Sequence, residues 1–175
     1  VDIVKPAAES AGLVIAEVNE QMPRTLGDSF IHVDDIDFLV PVDYPILETT
    51  HPQPDEVARN IGRHIANLIE DGSTLQMGIG TIPDSVLLFL RDKKDRGIHP
   101  EMFSDGMMAL VELGVITNMK KTIHKGKVIA SFCMGSKKLY DFVDNNPFIE
   151  FHPTSYTNDP FVIAQNERMV AVNSA

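Results

Sequence analysis

Two features in the segment 72–106 combine residue types that could do chemistry. The first is the loop Gly78-Ile79-Gly80, which continues as Thr81-Ile82 between a predicted strand and a predicted helix. Its glycines let the backbone turn tightly, and the free N–H groups of the following helix favour an anion. The loop lacks the pattern of a dinucleotide fingerprint or a P-loop. An ordinary turn between strand and helix therefore remains the alternative.

The second feature is an isolated acid, Glu101, which follows Pro100 and precedes the probable helix cap Ser104-Asp105. At the end of a strand its carboxylate would project toward the ligand-binding edge, and carboxylates act as covalent nucleophiles in several enzyme classes. A solvated loop glutamate is the competing interpretation, and the commoner one for a single acid. His99 could modulate the charge of Glu101, although loop histidines are more often only solvated.

Strand, short loop and helix recur along the chain, which predicts an α/β fold with a parallel or mixed sheet and flanking helices. The predicted strands are 11–18, 74–77, 101–103, 127–134, 148–151 and 169–172. Helices are predicted to start near Asp55, Thr81 (with Asp84 as a capping box), Ser104, Ser136 and Asn158 or Asp159. Ligands bind at the carboxyl ends of such strands, where the glycine loop, Ser104, Gly135 and Asn158 would lie.

The composition restricts the class of protein. Its 175 residues carry a net charge of −10, whereas nucleic-acid binders usually present a basic surface. No apolar run reaches the roughly 20 residues of a membrane-spanning helix, so neither nucleic acid nor membrane is an expected partner. The only cysteine, Cys133, is predicted to be a buried small hydrophobe. A single cysteine allows no internal disulfide, which predicts a reducing, cytoplasmic location. The scattered histidines predict no metal site; these are His32, His51, His64, His124 and His152.

Three stretches resemble the acetyl-CoA hydrolase/transferase family, most closely its 4-hydroxybutyrate and butyryl-CoA:acetate CoA-transferases. They read DGSTLQMGIGTIPDSVLLFL, GIHPEMFSDGMMALVELGVITN and GKVIASFCMGSKKLYDFVDNNP. A fourth, AEVNEQMPRTLGDSFIHVDDID, is similar to the end of that family's first half. The resemblance covers essentially the whole chain and implies a partial CoA-transferase-like fold.

The resemblance also implies a division of the chain. Residues 1–40 would end an N-terminal half, the proline-rich segment 41–54 would be a connection, and 55–175 would start a truncated C-terminal catalytic α/β domain. The chain begins with Val1, and its last residues, 169–175, read as a strand that simply stops. Both points predict that it is a fragment of a longer protein, inactive in isolation.

The resemblance assigns roles to residues. Glu101 would be the catalytic nucleophile, and Gly78, Ile79, Gly80, Thr81 and Ile82 would contact the CoA thioester. Pro100 departs from the serine that is frequent in relatives. The implied reaction moves CoA between acetyl-CoA and a carboxylate such as acetate, butyrate or 4-hydroxybutyrate. It would follow ping-pong kinetics through a glutamyl-CoA thioester, with coenzyme A as a substrate and without metal.

Three hypotheses remain open at this point. They are a CoA-transferase, an acyl-CoA hydrolase on the same scaffold, and a CoA-binding module without turnover. The default assembly is a homodimer, since symmetric dimers are the commonest oligomers.

Overall fold

The computed structural model describes residues 1–50 and 52–174, so that His51 and Ala175 lie outside the described residues. Every strand pairing among them is parallel. The strands are β1 (Ile15–Asn19), β2 (Phe38–Val42), β3 (Thr74–Met77), β4 (Gly97–Ile98), β5 (Met102–Phe103), β6 (Val128–Ala130), β7 (Phe132–Cys133), β8 (Ile149–Phe151) and β9 (Met169–Val172). The helices are α1 (Val4–Ser10), α2 (Glu56–Leu68), α3 (Thr81–Leu88), α4 (Asp105–Glu112), α5 (Lys137–Val143), α6 (Thr154–Thr157) and α7 (Pro160–Ile163), with a 3-10 turn at Val33–Asp35.

The strands form small parallel groups with helices packed beside them. The order β4-β3-β9 makes a three-stranded sheet, and β5–β7, β6–β8 and β1–β2 form pairs. The core joins apolar residues of these strands, such as Leu75, Phe103 and Val128, to α3, α4 and α5. Strands covered on both faces read as continuous apolar runs rather than alternating ones, as parallel sheets require. The predicted α/β class with parallel strands and flanking helices is confirmed.

Helix α2 forms where the sequence predicts it, with the Asp55 side chain accepting a hydrogen bond from the Ala58 N–H at 2.8 Å. The face that packs is the small-residue face, because a Cβ placed on Gly62 would come within 2.7 Å of the Ser85 Cβ. Two of the larger apolar residues of α2 face outward, whereas Ile65 is partly buried against the core. Val57 and Leu68 are 67% and 82% exposed.

The predicted strand 127–134 is wrong as a single element, because it breaks at Ser131. The amides of Ser131 and Phe132 both donate to the carbonyl of Glu101, at 2.8 and 3.2 Å. Before this break β6 pairs with β8, and after it β7 pairs with β5. The chain changes its strand partner at the point where the two amides donate to the Glu101 carbonyl.

Two further elements differ from the prediction near the start of the chain. Strand β1 begins only at Ile15, because the Val14 N–H is taken by the Asp37 carboxylate at 2.8 Å. Strand β2 was not predicted and runs across position 41, where Pro41 pairs with Val18. A proline is tolerated there because β2 has a strand on one side only.

Candidate functional site

The glycine loop and Glu101 lie at the same edge of the sheet. Strands β3 and β4 pair in parallel with Leu75 opposite Ile98. Gly78 and Glu101 each follow three residues after this pair, at the carboxyl ends where parallel sheets bind ligands. The described residues nevertheless contain no hydrogen bond that joins the Glu101 side chain to the loop. A ligand at this edge could therefore lie between them.

Glu101 is held at both its backbone and its side chain. The amides of Ser131 and Phe132 fix its carbonyl, and its carboxylate oxygen Oε2 accepts a hydrogen bond from Asn158 Nδ2 at 2.9 Å. The residue is half-buried. Among the described residues no donor is found for the second oxygen, Oε1. The arrangement fixes one carboxylate oxygen and leaves the other available to a reacting atom.

Asn158 follows α6 directly and reaches Glu101 across 57 positions of sequence. It does not cap α7, because the side chain of Asp159 accepts the Phe161 N–H at 2.8 Å. The sequence placed Asn158 at the ligand edge as a possible cap and missed its contact with the acid. The only signal for it was that edge position, since the pairing depends on how α6 folds back.

His99 is completely buried, so the expectation of a solvated loop histidine is wrong. One ring nitrogen, Nε2, donates to the carbonyl of Thr157 at 3.1 Å, while Nδ1 is buried without a partner among the described residues. Burial, and next the positive charge of Lys121, lower the pKa of His99 to about 4. The ring is neutral at physiological pH and holds the residue that precedes Asn158.

The capping box predicted at Thr81 and Asp84 is wrong. The N-cap of α3 is Gly80, which has φ +130° and ψ 176°, a region that is essentially restricted to glycine. No side chain caps the helix there. Within the described residues the N–H groups of Ile79, Gly80, Thr81 and Ile82 find no acceptor, which leaves consecutive donors open at the helix start.

Close packing accounts for glycine at position 78 of the loop. The Gly78 N–H donates to the carbonyl of Val172 at 2.8 Å, and a Cβ at this position would collide with the side chain of Asn173. The loop therefore needs Gly78 for close approach to the exit of β9 and Gly80 for its backbone conformation. Neither requirement excludes a ligand at the free N–H groups.

Ser104 directly follows β5 and Gly135 comes two residues after β7, so both lie at carboxyl ends of strands as predicted, but in a different strand pair from β3 and the glycine loop. The Ser136 N–H donates to Asp105 Oδ2 at 2.9 Å, and Gly135 packs so tightly that a Cβ would meet the same carboxylate. Ser104, Asp105 and Ser136 line a cavity of about 460 Å³ that Glu101 does not line.

Metal and thiol chemistry gain no structural support. In residues 1–50 and 52–174 no cluster of three histidine, cysteine or acidic side chains is arranged around a possible metal ion. Burial raises the pKa of the Cys133 thiol to about 11, which keeps it protonated. In the same part of the chain, no helix is both long and apolar enough to cross a bilayer.

Comparison with known proteins gives consistent matches. The profile of the acetyl-CoA hydrolase/transferase N-terminal domain matches residues 1–54, and that of the C-terminal domain matches residues 135–175. The 4-hydroxybutyrate coenzyme A transferase of Clostridium kluyveri is 61% identical over 173 residues, which is 99% of this chain and 40% of the relative. The succinyl-CoA:acetate/propanoyl-CoA:succinate CoA transferase of Fasciola hepatica is 46% identical over 175 residues, or 99% of this chain and 37% of that protein.

A solved structure supports the fold independently. The crystal structure of 4-hydroxybutyrate CoA-transferase from Porphyromonas gingivalis superposes with a TM-score of 0.94 and 49% sequence identity. The match covers 98% of this chain and 44% of that one. The chain spans about 40% of the length of the curated relatives that it matches.

Proposed function

Because the chain belongs to the acetyl-CoA hydrolase/transferase family, we propose that it carries the nucleophile of a CoA-transferase for short-chain carboxylates. The proposed nucleophile is Glu101, and the proposed contacts to the CoA thioester are Gly78, Ile79, Gly80, Thr81 and Ile82. The observation that carries this proposal is the fixed Glu101 carboxylate, with Asn158 on one oxygen, at the sheet edge that it shares with the glycine loop.

The chemistry follows from this geometry in balanced steps. An oxygen of the Glu101 carboxylate attacks the thioester carbonyl of acyl-CoA, the C–S bond breaks, and CoA leaves as a thiolate with an acyl–glutamyl anhydride formed. The thiolate then attacks the glutamyl carbonyl, which releases the acid and gives a glutamyl-CoA thioester. A second carboxylate reverses these steps and restores Glu101. Covalent relay of this kind divides one difficult exchange into easier ones.

The glycine loop offers hydrogen-bond donors for the oxyanion of the tetrahedral intermediates. Each addition places negative charge on an oxygen, and the unpaired N–H groups from Ile79 to Ile82 are suitable donors for it. Removal of one such donor from an oxyanion hole typically lowers the rate by about 10²–10³-fold. The half-exposed Ile79 adds apolar surface beside these donors, which helps to keep water from the anhydride.

The proposed substrates are acetyl-CoA and a short carboxylate such as acetate, butyrate or 4-hydroxybutyrate. The relatives are named for transfers that involve 4-hydroxybutyrate, succinate, acetate and propanoate, which supports this substrate class. A cytoplasmic location and a homodimer remain predictions from the sequence.

The proposed nucleophile is tested by mass spectrometry of the complete native protein after incubation with acetyl-CoA. We expect a CoA adduct on the peptide that contains Glu101, and we expect Glu101→Gln to abolish both the adduct and CoA transfer. The control is Glu112→Gln, which removes an exposed carboxylate at the end of α4 that pairs with Lys138 of α5. Transfer near the wild-type rate in Glu101→Gln would exclude Glu101 as the nucleophile.

Hydrolysis is the second candidate function, because the description of the matching family names hydrolases beside transferases. In that case water resolves the intermediate that Glu101 forms. Measuring CoA release with and without added acetate distinguishes the two activities. Release that does not depend on a second acid would identify a hydrolase.

A further inference from the structure

The end of β4 is held by side chains where a neighbouring strand would otherwise lie. Strand β3 pairs with one side of β4. On the other side the Ile98 N–H donates to Asn118 Oδ1 at 2.9 Å, and the Ile98 carbonyl accepts from Lys121 Nζ at 3.0 Å. Both side chains come from the connection between α4 and β6. Glu101 follows only three residues later in the chain.

Lys121 links this strand end to a second one. Its ammonium also donates to the carbonyl of Lys127 at 2.9 Å, immediately before β6. The residue is only 4% exposed, and its aliphatic stem crosses Gly97, where a Cβ would come within 2.5 Å of Lys121 Cγ. Glycine at position 97 therefore makes room for the lysine. A lysine amine so deeply buried needs hydrogen-bond partners, and here two backbone carbonyls supply them.

The charged and titratable groups around Lys121 come from three directions. His99 follows β4, His124 lies in the same connection as Lys121, and Glu150 and His152 come from β8 and its exit. Burial lowers the pKa of Lys121 to about 7, with Glu150 opposing the change. The position is therefore costly for a charged lysine.

We propose that Lys121 is a positioning residue for Glu101, which it fixes by tying the Ile98 carbonyl at the end of β4 to the Lys127 carbonyl before β6. The proposal rests on the proposed function in so far as Glu101 is the nucleophile. Only His99 and Pro100 separate Ile98 from Glu101 in the chain, so a shift of Ile98 also shifts Glu101. The proline ring restricts the backbone directly before Glu101. Strand β6 leads to Ser131, whose amide holds the Glu101 carbonyl. Lys121 therefore ties together the two segments that meet at Glu101.

The variant Lys121→Met in the complete native protein tests this, because it keeps the stem and removes the donors. We expect kcat for CoA transfer to fall about tenfold to a hundredfold, since misplacement by about 1 Å can cost 10²-fold, with KM for acyl-CoA unchanged. Hydrogen exchange gives a readout that does not depend on activity. The amides of Ser131 and Phe132, which donate to Glu101, should exchange faster relative to the amide of Gly78.

Arg96→Met is the matched control at the opposite end of β4. Arg96 is likewise a fully buried cation, and its guanidinium donates to the Ile69 carbonyl at 3.2 Å and to Asp71 Oδ1 at 3.1 Å. We expect it to lose stability as Lys121→Met does but to keep kcat and the exchange of Ser131 and Phe132. Lys121→Gln, which retains N–H donors on a shorter side chain, should give intermediate values and replaces Lys121→Met if that variant does not fold.

The outcomes separate this proposal from the function on which it rests. A loss of stability in Lys121→Met with kcat and exchange unchanged would overturn the positioning role and leave a structural one. If the wild-type protein formed no adduct at Glu101, the proposed function would fail. Faster exchange at Ser131 and Phe132 would then still establish that Lys121 fixes Glu101, and unchanged exchange would refute it.

Discussion

At the scale of single residues, the orientation of the Glu101 carboxylate depends on a neighbour that is distant in sequence. Asn158 donates to its carboxylate at 2.9 Å, and buried His99 holds the carbonyl of Thr157 at 3.1 Å beside that asparagine. A hydrogen bond to a charged group is typically worth about 1.5–3 kcal/mol. The orientation of the carboxylate is therefore set by a chain of two polar contacts rather than by Glu101 itself.

Asn158→Ala should lower kcat of the complete native protein by about tenfold to a hundredfold, because the carboxylate loses its side-chain donor. Steady-state transfer assays with acetyl-CoA measure this effect. Asn146→Ala serves as a control, since its amide donates to the Phe142 carbonyl at 2.8 Å, away from Glu101. Equal activity losses in the two variants would contradict a specific role for Asn158.

Stability should fall in acid because His99 is buried in its neutral form. The pKa of His99 is about 4 in the folded protein and 6.5 in the unfolded chain, so the unfolded state binds the proton first. The stabilisation is complete above about pH 6.5 and is lost as the pH falls toward 4, by about 3 kcal/mol at the acid limit. Urea unfolding of the wild type and His99→Gln at several pH values measures the difference.

His99→Gln should show a flatter dependence on pH between about 4 and 6.5 than the wild type does. The exposed His64 provides the control variant His64→Gln, which should keep the wild-type slope. If His99→Gln retained the full acid dependence, another group would have to account for it. His124, whose pKa is also lowered by burial, would be the next group to substitute.

At the scale of elements, the start of α3 owes its shape to the backbone conformation of Gly80. With φ +130° and ψ 176° the residue ends the loop abruptly and leaves the helix without a side-chain cap. A cap at this position would occupy N–H groups that a bound oxyanion needs. The start of α3 therefore has no side-chain cap, and among the described residues its first N–H groups have no acceptor.

Gly80→Ala should destabilise the protein by about 1–3 kcal/mol and lower kcat, because the strained backbone will relax and turn the donors away. Gly114→Ala is the matched control, since Gly114 also has a positive φ, of +71°, and faces open space near the end of α4. Thermal unfolding and transfer assays on both variants separate the two effects. A Gly80→Ala protein that loses stability alone would argue against donors at this loop.

At the scale of the whole molecule, large apolar surfaces remain uncovered. Strands β1 and β2 form a separate parallel pair in which Phe38 and Leu39 are 59% and 50% exposed. Parallel strands are normally covered on both faces, and uncovered strand edges favour association. The outward face of α2, with Val57 and Leu68, adds a second such surface.

The 175-residue chain by itself should therefore associate at micromolar concentration, and Leu39→Glu should reduce that association. Analytical ultracentrifugation measures the effect, with Thr122→Glu as a control for added charge at an exposed polar position. An unchanged sedimentation profile for Leu39→Glu would direct attention to the face of α2 instead.

The sequence by itself determined the features that depend on neighbouring residues. Asp55 caps α2, Ser136 caps α5, and the short segment Thr74–Met77 before Gly78 forms β3, because each signal acts within a few residues of chain. The long segments that resemble the acetyl-CoA hydrolase/transferase family likewise identify it from the sequence alone. The α/β class followed from such local information, whereas β4, the strand that Glu101 follows, was not predicted.

Tertiary structure alone decided the surroundings of Glu101. The burial of His99, the donor at Asn158 and the break at Ser131 all join residues that lie 30 to 58 positions apart. Local propensity carries no information about such pairs, because a histidine or an asparagine in a turn has the same short-range preferences whether it is solvated or enclosed. Only the closing of β4, β6 and α6 around one another removes water from these groups and makes each polar atom depend on a particular partner.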